Sequence, residues 1–304
     1  MATRPDAATI EAAISRACRA PSVHNCQPWQ WSANEHSIQL FSDRSRLVRG
    51  DDPDDRDLLM SCGAALHHLH VALEAAGWTP RVHRLPDPHQ PDHLASVSML
   101  PATPTDDALR MSVAIDRRRS DRRQLSSTAV PTQHLSRLTT AAQECGALLA
   151  ATDADTRAHL VSAAIDAARR YTPASYQGEL IDWPARTPLG DEEAVQDPGT
   201  AGELLVLAST SDDTRSQLLA GEALSRVLLH ANVLGLAACP LTQPLQGGDT
   251  RRFLRDELLG GTWTPQVLVR VGWLPTSLEV LPATPRRRLD EVLVRSVTEE
   301  ADWA

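Results

Sequence analysis

SCGAALHHLHVALEAAGW, residues 61–78, aligns without a gap with LAGEALSRVLLHANVLGL, residues 219–236. Four positions are identical, Gly63 and Gly221 among them, and matched residues are 158 apart (221 − 63). Both stretches carry apolar residues at helical spacing, which predicts two long helices of one pattern. Because any two long helices rich in Ala and Leu resemble each other, this alignment alone leaves chance similarity open.

The order of the predicted elements around these helices favours an internal duplication. A further pair of predicted helices, at 8–20 and 130–146, precedes the matched helices in the same order. The Pro- and Thr-rich stretch at 101–107 predicts a linker, so we divide the chain into a first half, 1–107, and a second half, 108–304. Apolar runs that predict strands make the fold class α+β; they lie at 38–41, 81–85, 95–100, 147–152 and 203–210, and within 260–273.

Composition excludes several classes of function. The 304 residues include 42 % hydrophobic residues, enough for a large core, and the net charge is −9. That charge argues against nucleic acid or an anionic membrane as the partner. All 30 basic residues are arginine, so the chain has no lysine for a Schiff base or a P-loop. Any bound phosphate would have to be held by arginine, by hydroxyl groups or by backbone N–H groups.

The cysteines and the apolar runs bear on location. Five cysteines form no CxxC pair, which favours a reducing cytoplasm. The first thirty residues lack the apolar core of a signal peptide, and no run approaches eighteen consecutive apolar residues. We therefore expect a cytoplasmic protein without a membrane span.

Three stretches carry side chains suited to binding a ligand. APSVHNCQPW, residues 20–29, places Ser, His and Asn at one bend, and RRRSDRR, residues 117–123, offers guanidinium forks that suit a phosphate monoester. GLAACPLTQPL, residues 235–245, could present backbone N–H groups to a flat ligand, and a basic turn follows at 286–288. The second and third stretches each have an ordinary alternative: a solvated basic helix end for the second and a buried connection for the third.

Taken together, RRSDR (residues 118–122) and APSVHNCQPW resemble the RRSxR and APSxxNxQPW motifs of the FMN-dependent nitroreductase family. The resemblance covers nearly the whole chain and is closest to the Acg-type, dormancy-associated nitroreductase-like proteins of actinobacteria. Family members are homodimers with FMN at the interface. The resemblance therefore implies a nitroreductase-like fold in which one duplicated chain is similar to a fused homodimer. Since each motif occurs in only one half, it implies one complete FMN site between the halves.

The resemblance also assigns roles to individual residues. It places the FMN phosphate and ribityl chain at Arg118 and Ser120, with Arg122 near the pyrimidine edge of the flavin. The segment beside flavin N5 departs from the family pattern, because Thr-Gln replaces an acidic residue followed by Gly. The residues implied to bind the cofactor are Pro21, Ser22, Asn25, Arg118, Ser120, Arg122, Pro240, Thr242, Gln243, Arg286 and Arg287.

Two functions from different classes follow. In the first, FMN passes electrons from NAD(P)H to a nitro-aromatic or quinone-like acceptor, and no side chain need act as an acid or base. In the second, the protein holds flavin and residues 171–200 fold over it as a lid, with Tyr171, Tyr176 and Trp183 as covers. Loss of FMN binding is the weakest alternative, since both motifs are intact. We expect a pseudo-dimeric monomer, with further association left open.

Some features have structural interpretations. The HHLH run at 67–70 lacks a carboxylate or Cys to complete a metal site, so we expect no metal. The acidic cluster at 51–57 precedes a helix, where carboxylates complement the helix dipole. Trp29 and Trp31 are expected to pack in the core, and Cys26 to be a small buried residue.

Overall fold

The computed structural model describes residues 4–34, 36–46, 54–170 and 201–295. Its helices, in chain order, are α1 (Ala7–Ala17), α2 (Arg56–Ala75), α3 (Asp106–Arg117), α4 (Thr132–Gln143), α5 (Ala154–Arg170), α6 (Thr214–Val233), α7 (Gly248–Phe253) and α8 (Leu289–Val292). Its strands are β1 (Trp29–Ala33), β2 (Ser37–Ser42), β3 (Trp78–Arg84), β4 (His93–Pro101), β5 (Leu148–Ala151), β6 (Glu203–Ser209), β7 (Ala237–Leu241), β8 (Thr264–Gly272) and β9 (Leu293–Arg295).

The strands form two sheets of matching topology. The first sheet has the order β3-β4-β2-β1-β9 and the second has the order β5-β6-β8-β7. Read from the opposite edge, the second sheet is β7-β8-β6-β5, the same arrangement as the first four strands of the first sheet. All pairs within these two sets of four are antiparallel. The duplication seen in the sequence is therefore present in the topology.

Helices α2 and α6 pack against each other where their matched glycines meet. A Cβ atom at Gly63 would overlap the carbonyl oxygen of Leu218, and one at Gly221 would overlap the carbonyl of Met60. The two contacts exchange under the 158-residue shift, as the contacts of a two-fold interface do. Only glycine permits this approach, because the opposing atoms belong to the backbone.

A hydrogen bond lies on the same local axis. His67 Nδ1 is 2.8 Å from Ser225 Oγ, and these two residues are themselves 158 positions apart. A residue that bonds its own counterpart stands on or beside the two-fold axis. The halves of this chain thus pack as two subunits of a symmetric dimer would.

Each sheet contributes to its own core, and the central helices serve both. Nearly all of α2 is buried, as expected of a helix with neighbours on every side. One apolar cluster joins α1 and α2 to the first sheet and includes Trp29 and Trp31, both fully buried. A second joins α4 and α6 to the second sheet. No helix in the described ranges is both long and apolar enough to cross a bilayer.

The C-terminal segment crosses from the second sheet to the first. After β8 the chain runs back to α8, and β9 then pairs in parallel with β1, with Leu293 opposite Trp31. The division of the chain at residue 107 stays a prediction. Strand β9 lies in the predicted second half of the sequence but pairs with β1 in the first sheet. The crossing carries the basic turn at 286–288 past the first half.

Candidate functional site

The RRSDR motif is positioned by the edge of the second sheet. Helix α3 ends just before Arg118, and Ser120 then forms a parallel bridge with Ala238 of β7. The backbone N–H of Asp121 donates to the carbonyl of Ala238 (3.1 Å). Because β7 is the edge strand of its sheet, its outer backbone groups are available for this pairing. The motif is thereby fixed as an extended segment.

The APSVHN motif lies in the eleven-residue connection between α1 and β1, residues 18–28. Three of its non-glycine residues have left-handed backbone: His24 (φ 50°), Asn25 (φ 57°) and Gln27 (φ 50°). Asparagine and histidine are enriched in this region, whereas Gln adopts it at a cost of about 1–3 kcal/mol. Ser22 Oγ accepts a hydrogen bond from the Gln27 backbone N–H (3.0 Å), which helps to hold the strained turn.

The C-terminal basic turn packs directly on this strained loop. Asn25 Nδ2 donates to the Pro285 carbonyl (3.1 Å), and Arg286 Nη1 donates to Asn25 Oδ1 (3.0 Å). Gln27 Oε1 accepts from the backbone N–H of Arg287 (2.8 Å). The loop of the first half and the segment that leaves the second sheet therefore form one surface.

Arg118 of the RRSDR motif and Arg286 of the basic turn converge on that surface. Both donate through Nη2 to the carbonyl oxygen of Arg19, at 3.4 and 3.1 Å, and Arg118 Nη1 donates to Ser120 Oγ (3.3 Å). Burial, together with repulsion from neighbouring guanidinium groups, lowers the pKa of Arg118 to about 9 and that of Arg286 to about 10. The buried Nε of each has no hydrogen-bond partner in the described part of the chain. A cluster with these properties would be stabilised by an anion.

A small cavity adjoins the cluster. It has a volume of about 100 Å³ and lies between the end of α1 and the C-terminal segment. Half of its lining residues are arginines, which makes it cationic. The residues that line it are Ser15, Cys18, Arg19, Arg286, Arg287 and Leu289.

The turn after β7 connects to the same loop through α2. Residues 243–245 form a 3₁₀ turn, and the carbonyl of Leu245 accepts from Arg56 Nη1 at the start of α2 (3.4 Å). One turn further along α2, Ser61 Oγ accepts from the backbone N–H of Val23 (3.3 Å). The three motifs thus form a continuous ring of contacts, with both halves contributing.

The predicted site residues do not all lie in one place. Asn25, Arg118, Ser120 and Arg286 lie together, and Pro21 and Ser22 shape the adjoining loop. Arg287 instead donates to the carbonyls of Gln27, Trp29 and Glu291, which holds the C-terminal segment in place. Pro240 belongs to β7, and Thr242 and Gln243 begin the half-buried turn. Arg122 is exposed, and Tyr171, Tyr176 and Trp183 lie outside the described residues.

Some residues of this surface were not predicted from the sequence. Arg19 supplies the shared carbonyl acceptor, and its side chain pairs with Asp116 of α3 (3.1 Å). Gln27 links the loop to the C-terminal segment. The position of Arg19 immediately before APSVHN was a usable signal, whereas the contacts of Gln27 and Ser61 depend on tertiary structure.

The position related to this site by the two-fold axis differs in the length of its loop and in its charged side chains. The connection from α4 to β5 has four residues, 144–147, where the first half has eleven. Arg226 of α6 forms an ion pair with Glu144 in this short connection. Arg84, at the end of β3, makes a bidentate pair with Glu222 of α6, at 2.6 and 2.7 Å. The second position is thus filled by paired charges.

The 158-residue shift identifies what these charges replace. Glu222 corresponds to Ala64, and Arg226 corresponds to His68. Arg84 corresponds to Thr242 in the turn after β7. The candidate FMN site therefore has Ala64, His68 and Thr242 at the three places where the symmetry-related position has charged side chains.

Comparison with known proteins gives consistent matches. Residues 115–273 match the model of the nitroreductase family. A Mycobacterium tuberculosis H37Rv protein named as an NAD(P)H nitroreductase is 37 % identical over 95 % of this chain and 92 % of its own length. A second protein of that strain, an NAD(P)H nitroreductase named acg, is 36 % identical over 93 % of this chain and 94 % of its own.

Solved structures match at lower identity. The FMN-dependent nitroreductase NfnB of Mycobacterium smegmatis, solved in complex with NADPH, has a TM-score of 0.45 and 16 % identity, over 61 % of this chain and 97 % of that one. A nitroreductase of Bacteroides fragilis with bound FMN has a TM-score of 0.44 and 14 % identity, over 58 % and 94 % of the two chains.

Proposed function

The chain belongs to the nitroreductase family, and from this premise we propose that it binds one FMN between its halves and reduces a nitro-aromatic or quinone-like acceptor with electrons from NAD(P)H. Its fold is an α+β, internally duplicated form of the nitroreductase fold. One observation carries the proposal: Asn25 of the first half and Arg118 and Arg286 of the second converge on one partly buried cationic surface.

The residues present fit the phosphate of FMN. A phosphate monoester brings close to two negative charges and several acceptor oxygens. The unpartnered Nε groups of Arg118 and Arg286 are donors of the required kind, and an anion would offset the burial and the repulsion that lower both pKa values. Arg118, Ser120 and Arg286 would bind the phosphate, with Arg287 fixing the segment that carries Arg286.

The remaining motif residues would contact the rest of the cofactor. Ser22 and Asn25 face it from the first half, and Pro21 shapes their loop. Arg122 would stand near the pyrimidine edge, where a cation stabilises negative charge. When bound, FMN supplies the hydride chemistry, and the protein contributes position and electrostatics. The backbone of Pro240, Thr242 and Gln243 would border the flavin ring.

The second function, flavin sequestration by a lid, remains the alternative. It depends on residues 171–200, which lie outside the described part of the chain. The two functions predict different behaviour towards nicotinamide, since a closed lid would exclude NAD(P)H without releasing flavin. The free state of the five cysteines supports the proposal of a cytoplasmic location.

A visible absorption spectrum of the purified protein tests the proposal. The spectrum is recorded without oxygen, then after NADPH, NADH and finally dithionite. We expect a flavin band that bleaches with a nicotinamide. A band that bleaches only with dithionite would favour sequestration, and the absence of a flavin band after incubation with FMN would refute both functions.

A further inference from the structure

Gln27 is a buried glutamine of the APSVHN loop, with 4 % of its surface exposed. A buried amide is costly unless its polar atoms are hydrogen-bonded. Here Oε1 accepts from the backbone N–H of Arg287 (2.8 Å), and Nε2 donates to the carbonyl of Asn25 (3.3 Å). Because an N–H can only donate and a carbonyl can only accept, these partners fix which end of the amide carries the oxygen.

Two amide side chains of this loop bond both peptide groups that flank Arg286. Asn25 Nδ2 donates to the carbonyl of Pro285, in the peptide that precedes Arg286 (3.1 Å). Gln27 Oε1 accepts from the N–H of Arg287, in the peptide that follows Arg286. Asn25 Oδ1 also accepts from Arg286 Nη1 (3.0 Å). The backbone of Arg286 is therefore held on both sides by the first half of the chain.

The backbone of Gln27 is itself fixed by hydrogen bonds. Its N–H donates to Ser22 Oγ (3.0 Å), and its carbonyl accepts from Arg287 Nη1 (3.3 Å). Its φ of 50° lies in the left-handed region, and such strain in a glutamine persists only where the surrounding contacts over-determine the conformation. Gln27 thus joins the loop to the basic turn through both its backbone and its side chain.

We propose that Gln27 is a positioning residue of the flavin site: it fixes the backbone at Arg286 so that the Arg286 guanidinium is directed at the phosphate. The inference rests on the proposed function, in which Arg286 binds the phosphate. Gln27 acts through Arg286 and does not touch the cofactor. Its loss should therefore weaken the binding of ligands that carry the phosphate and spare those that lack it.

Binding of FMN and riboflavin to flavin-stripped protein tests the proposal, because riboflavin lacks the phosphate. Gln27→Met keeps the length of the side chain and removes both of its hydrogen bonds. We expect this variant to bind FMN about tenfold more weakly, the size expected for loss of one or two hydrogen bonds, with riboflavin binding unchanged. In an Arg286→Met background, the same change should cause no further loss of FMN affinity.

Hydrogen exchange at the Arg287 amide measures the central hydrogen bond directly. In the wild type this N–H should be protected, and FMN should slow its exchange more than riboflavin does, since only FMN carries the group that Arg286 would bind. This readout needs no variant and therefore applies even if Gln27→Met does not fold. A wild-type amide that exchanges without protection, or that the two flavins slow equally, would overturn the inference.

Gln39→Met is the matched control. Gln39 is a half-buried glutamine of β2 whose side chain bonds Ser37 and His93. Its substitution should leave the ratio of FMN to riboflavin affinity unchanged. An unchanged ratio in Gln27→Met, or a further loss in the Arg286→Met background, would overturn the inference. A wild-type protein that binds neither flavin would instead refute the proposed function itself.

Discussion

Arg118 is the residue on which the proposed cofactor site depends most, because it joins the RRSDR motif to the first half. We expect the double change Arg118→Ala and Ser120→Ala to abolish flavin retention, since it removes a buried guanidinium and the hydroxyl that it bonds. Absorbance near the flavin band and titration with FMN measure this. Arg110→Ala is the matched control, because Arg110 is exposed on α3, the helix that precedes the motif. A double variant that still purified yellow would refute the site assignment.

Asn25 combines a strained backbone with a direct contact to Arg286. Asn25→Gly and Asn25→Ala both remove that contact, so both should weaken FMN binding. At φ 57°, however, alanine is strained and glycine is not. We expect the alanine variant to be less stable than the glycine variant by about 1 kcal/mol in urea unfolding. Equal stabilities would show that this loop relaxes without cost.

Single residues of the site were predictable to the extent that a motif contained them. Asn25, Arg118 and Ser120 belong to short patterns that can be identified in one sequence. Gln27 also belongs to the APSVHNCQPW motif, but its hydrogen bond with Arg287, far along the chain, leaves no trace in the local sequence. Arg287 was predicted to bind the cofactor, a role that stays a prediction; its guanidinium contacts the carbonyls of Gln27 in the loop and Trp29 of β1.

The crossing of α2 and α6 is the element-scale feature with the clearest energetic consequence. Gly63→Ala and Gly221→Ala each place a Cβ against an opposing backbone carbonyl, which cannot move as a flexible side chain could. We expect each to lower the free energy of unfolding by about 3 kcal/mol, at the upper end for overpacked cores. The measurement is equilibrium unfolding in urea.

Gly248→Ala is the matched control for this prediction. Gly248 is also helical, and a Cβ there meets nothing within 4 Å. Its substitution should therefore be neutral or slightly stabilising, by up to about 1 kcal/mol. If Gly63→Ala unfolded at the same urea concentration as Gly248→Ala, the close approach of the two helices would be wrong.

At the scale of elements, periodicity predicted most helices and strands, and the misses have physical causes. No strand was predicted within GLAACPLTQPL, residues 235–245, yet residues 237–241 form β7. Proline is tolerated there because β7 is an edge strand, where a missing N–H disrupts less. Strand β9 has three residues and pairs with β1 across most of the chain length, so its partner is invisible to local pattern.

At the scale of the whole molecule, the repeat predicted the duplication, and the unequal connections explain its asymmetry. The eleven residues at 18–28 form the APSVHN loop, whereas the four at 144–147 are too few to form its counterpart. The sequence indicated the missing motif but not what replaces it. The partners in the pairs Arg84–Glu222 and Arg226–Glu144 are far apart in the sequence. An alignment of the two halves therefore does not show that they form ion pairs.

These pairs lead to a prediction about stoichiometry. Titration with FMN should end at one flavin per 33.1 kDa chain. Arg84→Met leaves the mostly buried Glu222 unpaired and should cost roughly 2–4 kcal/mol of stability, while the double change Arg84→Met and Glu222→Met should recover much of it. Neither should change the FMN endpoint, because the second position lacks a loop to bind the cofactor. An endpoint of two flavins in the wild type would contradict a single site, whereas a second flavin bound only by the double variant would show that the paired charges alone close the second position.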